Sequence, residues 1–377
     1  MEQIDIAVIG LGVMGSAALW RLAARGARVV GFEQFEPGHD RGSSHGESRL
    51  TRSAYFEDPR YVPLTRHAFA LWRQLEEESG ADLLTMTGCL MIGRPDCRIV
   101  AGTLASAREH GLAHEVFDAV AMGRRYPQHR LAPSEVAVYE DMAGFLRPEA
   151  VIAAAVRRAE SLGARVYRNT IVDGIDAAGN GVRIMVADAT YHARHAVVSV
   201  GSWLGPLLPG LTLPLQVERQ VLAWFPIRDP ALYNPARCPV YNHEPNPGHI
   251  RYGFPTLDGA TVKVAVHHEG ATTTAEDIDR AVSPRDLAPL QDFVRAHLVG
   301  VDPVAVRGKV CMYTNTPDDH FIVGSPRDLP AVTLLGGFSG HGFKFASVIG
   351  DAAADLAVRG ATDYPVELFS PLRFNAR

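Results

Sequence analysis

The residues of this chain best able to do chemistry lie in short stretches far apart in the sequence. Gly10-Leu11-Gly12-Val13-Met14-Gly15 is a GxGxxG turn. It follows an apolar run, Ile4 to Ile9, and opens a stretch with helical spacing, Ser16 to Arg25. A second apolar run, Ala27 to Phe32, ends at Glu33. In that context the motif reads as a dinucleotide fingerprint. Gly10 permits the turn, Gly12 lets backbone N–H groups approach a pyrophosphate, and Gly15 lets helix and sheet pack closely. The helix N-terminus offers unpaired donors to phosphates. Glu33 would accept ribose hydroxyls and repel a 2′-phosphate, which disfavours NADP but does not separate NAD from FAD.

A second stretch, Gly42-Ser43-Ser44-His45-Gly46-Glu47-Ser48-Arg49, is followed by Arg52. One of these arginines could stabilise a reduced, anionic ring and the other could take a carboxylate bidentately. A helical turn would point both to one side, and a loop could aim both into a cleft. The plain alternative is a pair of solvated surface arginines. Cys311, after the apolar Val310, fits either a small core residue or a thiolate nucleophile or tether. Gly336 to Gly342 is dense in glycine, as where backbone must approach a ligand or another segment closely. Lys344 follows at a predicted helix start, where a cation is disfavoured unless an anion lies nearby. Lys263 alternates with Val262, Val264 and Val266, and shares its face with Ala265 and His267. That face is either a strand's solvent side or the roof of a cleft.

The elements that must position these residues form two interleaved units. Strand, glycine turn, helix and strand at the N-terminus make a βαβ start of a doubly wound sheet. Glu36 to Arg52 reads as a long polar loop. Helices are predicted at Leu64 to Ser79, Arg98 to His110 and Pro148 to Leu162, the last with Pro in its first turn and Gly163 after it. From Leu213 to Tyr313 the pattern is of Pro-punctuated strands, Gln220–Pro226, Arg251–Pro255 and Thr261–His267, with one helix opening at Ser283-Pro284. The tail returns to strand, glycine turn and helix, Ala331 to Arg359. The expected architecture is α/β (α+β overall). A Rossmann-like unit takes 1–80, 148–212 and 314–377, and an antiparallel-sheet substrate unit takes 81–147 and 213–313.

Composition narrows the function. With 47% hydrophobic and 21% charged residues over 377 positions, the chain is ordinary globular protein. A net charge of -5 gives no basic footprint for nucleic acid or an anionic membrane surface. Four cysteines without a CxxC pair suggest neither a disulfide framework nor a thiolate zinc site, and fit a reducing compartment. The uncharged stretch Ile6 to Trp20 is too short to span a bilayer and has no basic flank. The expectation is a cytoplasmic protein.

Taken in order, the GxGxxG with Glu33, the Ser-Ser-His-Gly-Glu-Ser-Arg loop, Cys311-Met312-Tyr313-Thr314 and Gly337-Phe338-Ser339-Gly340-His341-Gly342-Phe343-Lys344 resemble the monomeric sarcosine oxidase and N-methyltryptophan oxidase family, within the D-amino-acid-oxidase-like flavoproteins, over essentially the whole chain. The resemblance implies FAD, held covalently by a thioether from Cys311. It implies that Arg49 lies against the flavin ring and that Lys263 assists electron transfer to oxygen. Arg52 and Lys344 would bind the substrate carboxylate, and Tyr252 and His267 would line the substrate cavity. Ser43, His45, Val172, Gly201, Trp203, Gly340, Gly342 and again Lys344 would contact the cofactor. Ser44, Glu47 and Ser48 depart from the family's usual loop, and Asn234 to His249, rich in Pro and Asn, does not match. The activity implied is oxidation of a sarcosine-like secondary amine by O2 in a monomer, giving aldehyde, primary amine and hydrogen peroxide. The alternatives are a flavin dehydrogenase with a non-oxygen acceptor, a NAD-dependent dehydrogenase and a non-catalytic FAD-binding module.

Overall fold

The computed structural model describes residues 2–374. Its first sheet has eight strands. Glu2–Ile9 pairs in parallel with Val29–Phe32 on one side and with Ala189–Val198 on the other. Val332–Gly336 and Arg165–Tyr167 extend the parallel part, and the hairpin of Gly174–Ala178 and Gly181–Val186 adds antiparallel strands. The first strand is apolar on both faces because both are covered. Ile6 and Val8 pack with the helices Val13–Ala24, Pro148–Ser161 and Ala346–Arg359, whereas Ala7 and Ile9 join the cluster on the far side. The first helix starts at Val13, earlier than its apolar spacing indicated, so its N-terminus lies inside the glycine turn.

The second sheet has nine strands and is mostly antiparallel. Gln216–Pro226 lies between Thr261–His267 and Arg307–Asn315, and His249–Gly253, Val240–Asn246 and Cys89–Gly93 continue the order. Residues directly opposite each other across paired strands share a face. One face, with Ala223, Phe225, Val262 and Val264, is covered by Leu290, Phe293 and Val294 of the helix Pro284–His297. The other carries Leu222, Trp224, Ala265 and Cys311 in a small cluster with Tyr252. Lys263 lies on this second face and is 3% exposed, so its strand side is not a solvent side.

Three readings of local structure change. The loop from Glu36 ends in a strand, Arg49–Arg52, which joins Ala143–Leu146 and Leu84–Met86 in a three-stranded sheet. Side chains three apart on a strand point to opposite faces. Arg49 and Arg52 therefore diverge, one toward Cys311 and the other toward Glu57. Val240–Asn246 is also a strand, with Pro245 close to its end, where a missing N–H is tolerated. Lys344 lies in a 3-10 turn, Phe343–Phe345, ahead of the last helix rather than in its first turn.

Candidate active site

A cavity of about 420 Å³ begins at the glycine turn and runs to the face of the second sheet. Gly10, Gly12 and Glu33 line one end. Gly10 has φ +83°, and a Cβ on Gly15 would lie 1.8 Å from the Gly10 carbonyl oxygen, so the helix can approach the turn this closely only without a side chain there. Gly12 caps the helix with no side-chain hydrogen bond of its own. The buried Glu33 carboxylate accepts from Leu11 N at 2.7 Å and from Phe35 N at 3.0 Å, which fixes it at the cavity wall. Val172, Gly201 and Trp203 form another wall, and Ser43, Gly340 and Gly342 lie along the cavity with Tyr313 and Arg49. Gly340, at φ +74°, packs flat against Tyr313; a Cβ there would come within 2.3 Å of the ring.

At the far end the polar loop has a specific build. Gly46 takes φ +95°, and any Cβ on it would meet Leu222 at 2.5 Å. Glu149, in the first turn of Pro148–Ser161, accepts from Gly46 N at 2.7 Å. Thus anchored, the loop turns three carbonyls inward. Arg49 donates to Ser43 O at 3.0 Å and to Ser48 O at 2.9 Å. Lys263 Nζ donates to Gly46 O at 2.7 Å and Ser48 O at 2.6 Å, and lies 4.1 Å from the Phe254 ring centre. Arg49 Nη2 is 3.6 Å from the buried Cys311 Sγ. Burial first, and the Arg49 charge second, push the Lys263 ammonium well below its usual pKa. The same two causes bring His45 down to about 3, so its imidazole is neutral, and both its buried ring nitrogens are without partners in the protein. A cavity with a glycine cradle at a helix N-terminus and an acidic wall at one end suits an elongated dinucleotide such as FAD.

A second cluster holds Arg52 and Lys344. Arg52 is fully buried, ion-paired to Glu57 at 2.5 Å and hydrogen-bonded to Ala54 O at 2.7 Å. Its guanidinium stacks 4.2 Å from the Tyr55 ring centre. Lys344 Nζ, 5.1 Å from the same ring, donates to His341 O at 2.8 Å. Burial, then Arg52, pushes Lys344 down to about 7. Burial would raise the Glu57 carboxyl, but Arg52, His341 and Lys344 outweigh it and hold it at about 2. The site thus carries two cations around one internal carboxylate. His267 Nδ1 lies 3.4 Å from Tyr313 OH, and its ring is 6.4 Å from that of Tyr252. Burial, then His268, keeps His267 neutral.

The structure brings Arg49, Lys263, Cys311, Tyr252 and His267 to one side of the second sheet, with Arg52 and Lys344 in the adjoining cluster. Glu57, Tyr55, Glu149 and Tyr313 were missed in sequence. Tyr313 had a signal, since it shares a strand face with Cys311, and Glu57 lies only five positions beyond Arg52. Glu149 had none, because its partners are distant in the chain.

Comparisons with known proteins show the family of the chain. Residues 5–356 match the family profile described as DAO, FAD dependent oxidoreductase. The chain is 42% identical over 376 residues to monomeric sarcosine oxidase of Streptomyces avermitilis, covering 99% of this chain and 98% of that one. It is 33% identical to N-methyl-L-tryptophan oxidase of Salmonella newport, covering 99% and 100% respectively. Among solved structures, the open form of NikD, an unusual amino acid oxidase essential for nikkomycin biosynthesis, matches with a TM-score of 0.89 and 26% identity over 98% of both chains.

Proposed function

Because the chain belongs to the DAO family of FAD-dependent oxidoreductases and is a flavin-dependent amine oxidoreductase, we propose that it oxidises a sarcosine-like N-methyl amino acid with O2. FAD held by these residues would supply the acceptor for a hydride equivalent from the N-methyl carbon and the route of those electrons to oxygen. Water then splits the imine, so that secondary amine, O2 and water give primary amine, aldehyde and hydrogen peroxide. The protein's part is positioning and electrostatics. Gly10, Gly12 and the helix N-terminus would hold the pyrophosphate, and Glu33 the ribose. Gly15 would keep helix and turn in contact. Ser43, His45, Val172, Gly201, Trp203, Gly340 and Gly342 would hold the rest of the cofactor, and Cys311 Sγ would bind it covalently. Arg49 and Lys263, both aimed by the carbonyls of one loop, would supply positive potential at the ring, with Lys263 serving the oxygen reaction.

Arg52 and Lys344 would take the substrate carboxylate, with Glu57 giving up its share of Arg52 as the ligand arrives. Tyr252 and His267 would close the cavity around the amine. The two buried cations that face the Tyr55 ring, Arg52 and Lys344, carry this reading, since such a pair suits a ligand's carboxylate. The test is a panel of amines read by peroxide release and, without oxygen, by bleaching of the flavin. N-methyl amino acids should do both. Equal activity on matched amines without the carboxyl group would overturn the role of the cation pair.

A further inference from the structure

Far from this site, on the face of the second sheet covered by the helix Pro284–His297, Glu135, His243 and His297 each direct one ligand atom into a single spot. These atoms lie within 4.8 Å of one another. His243 and Glu135 are buried. We infer that the trio is a binding site for a zinc-type divalent ion, one that fastens the C-terminus of this helix to the sheet.

The donor set is two imidazoles and a carboxylate, which suits zinc and disfavours calcium and magnesium, whose ligands are oxygens. Partners behind the donors already orient them. Glu135 Oε2 accepts from Ala132 N at 2.7 Å, and its other oxygen lies 2.9 Å from His243 Nε2. His297 Nδ1 is 3.3 Å from Arg130 O; donation there leaves Nε2 as a lone pair, the arrangement by which a backbone carbonyl fixes the tautomer of a metal-binding histidine. The same two residues are tied through the backbone, Arg130 N to His297 O at 2.8 Å. Phe293 stacks on the His297 ring at 5.0 Å and limits its rotation.

A second observation points to a ligand. His243 Nδ1 is buried without a hydrogen-bond partner. The Glu135 contact, made through Nε2, thus satisfies only one of its two nitrogens. The Arg130 guanidinium donates to Arg295 O at 3.2 Å.

His243 lies opposite Arg251, whereas Tyr252, opposite Asn242, points to the other face. The site is therefore separated from the flavin side by the sheet itself, and its role is structural. Chelator-stripped holoprotein is titrated with zinc against a chromophoric chelator, in the wild type and in Glu135→Gln and His297→Gln. The wild type should bind one zinc per chain, with melting temperature rising as zinc is added and peroxide production unchanged. Each variant should lose more than about 100-fold in affinity, beyond the cost of losing a supporting partner. Absence of binding by the wild type, or equal affinity in all three proteins, overturns the inference. Where a variant fails to fold, cobalt(II) added to the wild type decides: intense tetrahedral absorption supports the trio, and weak octahedral absorption contradicts it.

Discussion

Measuring the affinity for a small carboxylate that lacks an amine, from about pH 6 to about pH 9, reads the charge of Lys344 without interference from substrate ionisation. Burial, and then Arg52, brings this lysine down to about 7 in the free protein. A lysine with a lowered pKa is charged below that value and neutral above it. An anionic ligand prefers the charged form, so its binding is strong on the acid side and weakens as pH rises through about 7. Two units above the pKa about one lysine in a hundred keeps its proton, and Kd should rise roughly 100-fold, equivalent to about 2.7 kcal/mol. Glu57, held at about 2, and His341, held at about 3, do not change charge in this range. Glu140 does: burial raises it to about 7, and it accepts from Ser53 N and Ala54 N beside Arg52. Its ionisation also weakens anion binding as pH rises. Lys344→Met separates the two, because any slope left in the variant belongs to Glu140. The ligand-induced change in flavin absorbance reports Kd. A wild-type Kd that stays flat over the range, or a Lys344→Met protein that keeps the full slope, refutes the reasoning.

Lys263→Met should slow reoxidation of the reduced enzyme by oxygen on the order of 100-fold while leaving anaerobic reduction by substrate nearly unchanged; stopped-flow measurement of the two half-reactions decides, and equal slowing removes Lys263 from the oxygen reaction. Gly15→Ala places a Cβ 1.8 Å from the Gly10 carbonyl oxygen, with backbone rather than a flexible side chain in the way. It should destabilise the protein by about 1–3 kcal/mol and lower flavin content, as read by thermal melting and the ratio of flavin to protein absorbance; full flavin loading at unchanged stability would contradict the close packing described.

The parts of the fold legible in sequence were those set by local rules. The glycine turn, its flanking strands and Glu33 follow from backbone sterics and strand pattern within a short span. The alternation of Thr261–His267 put Lys263, Ala265 and His267 on one face, but nothing local told whether that face met water. Gly46 and Ser48, from a distant loop, decide it by capping the Lys263 ammonium. In sequence Arg49 and Arg52 fitted either functional cations or solvated surface arginines, and their divergence depends on pairing with Ala143–Leu146, a contact made across the chain. Cys311 alone was ambiguous between core filler and tether. What distinguishes it in space is the Arg49 guanidinium, which a sequence window around Val310 does not contain. The Val240–Asn246 strand was hidden by its Pro and Asn content, and with it the contact of His243 with Glu135 and His297.

Acid denaturation is the most direct test of the covalent link proposed between Cys311 and FAD. After precipitation and washing, the wild-type pellet should stay yellow, and the intact polypeptide should be heavier than the bare chain by one FAD less two hydrogens. Cys311→Ser should give a colourless pellet with any flavin in the supernatant. A wild-type chain of bare mass, with all its flavin released by acid, would contradict the account.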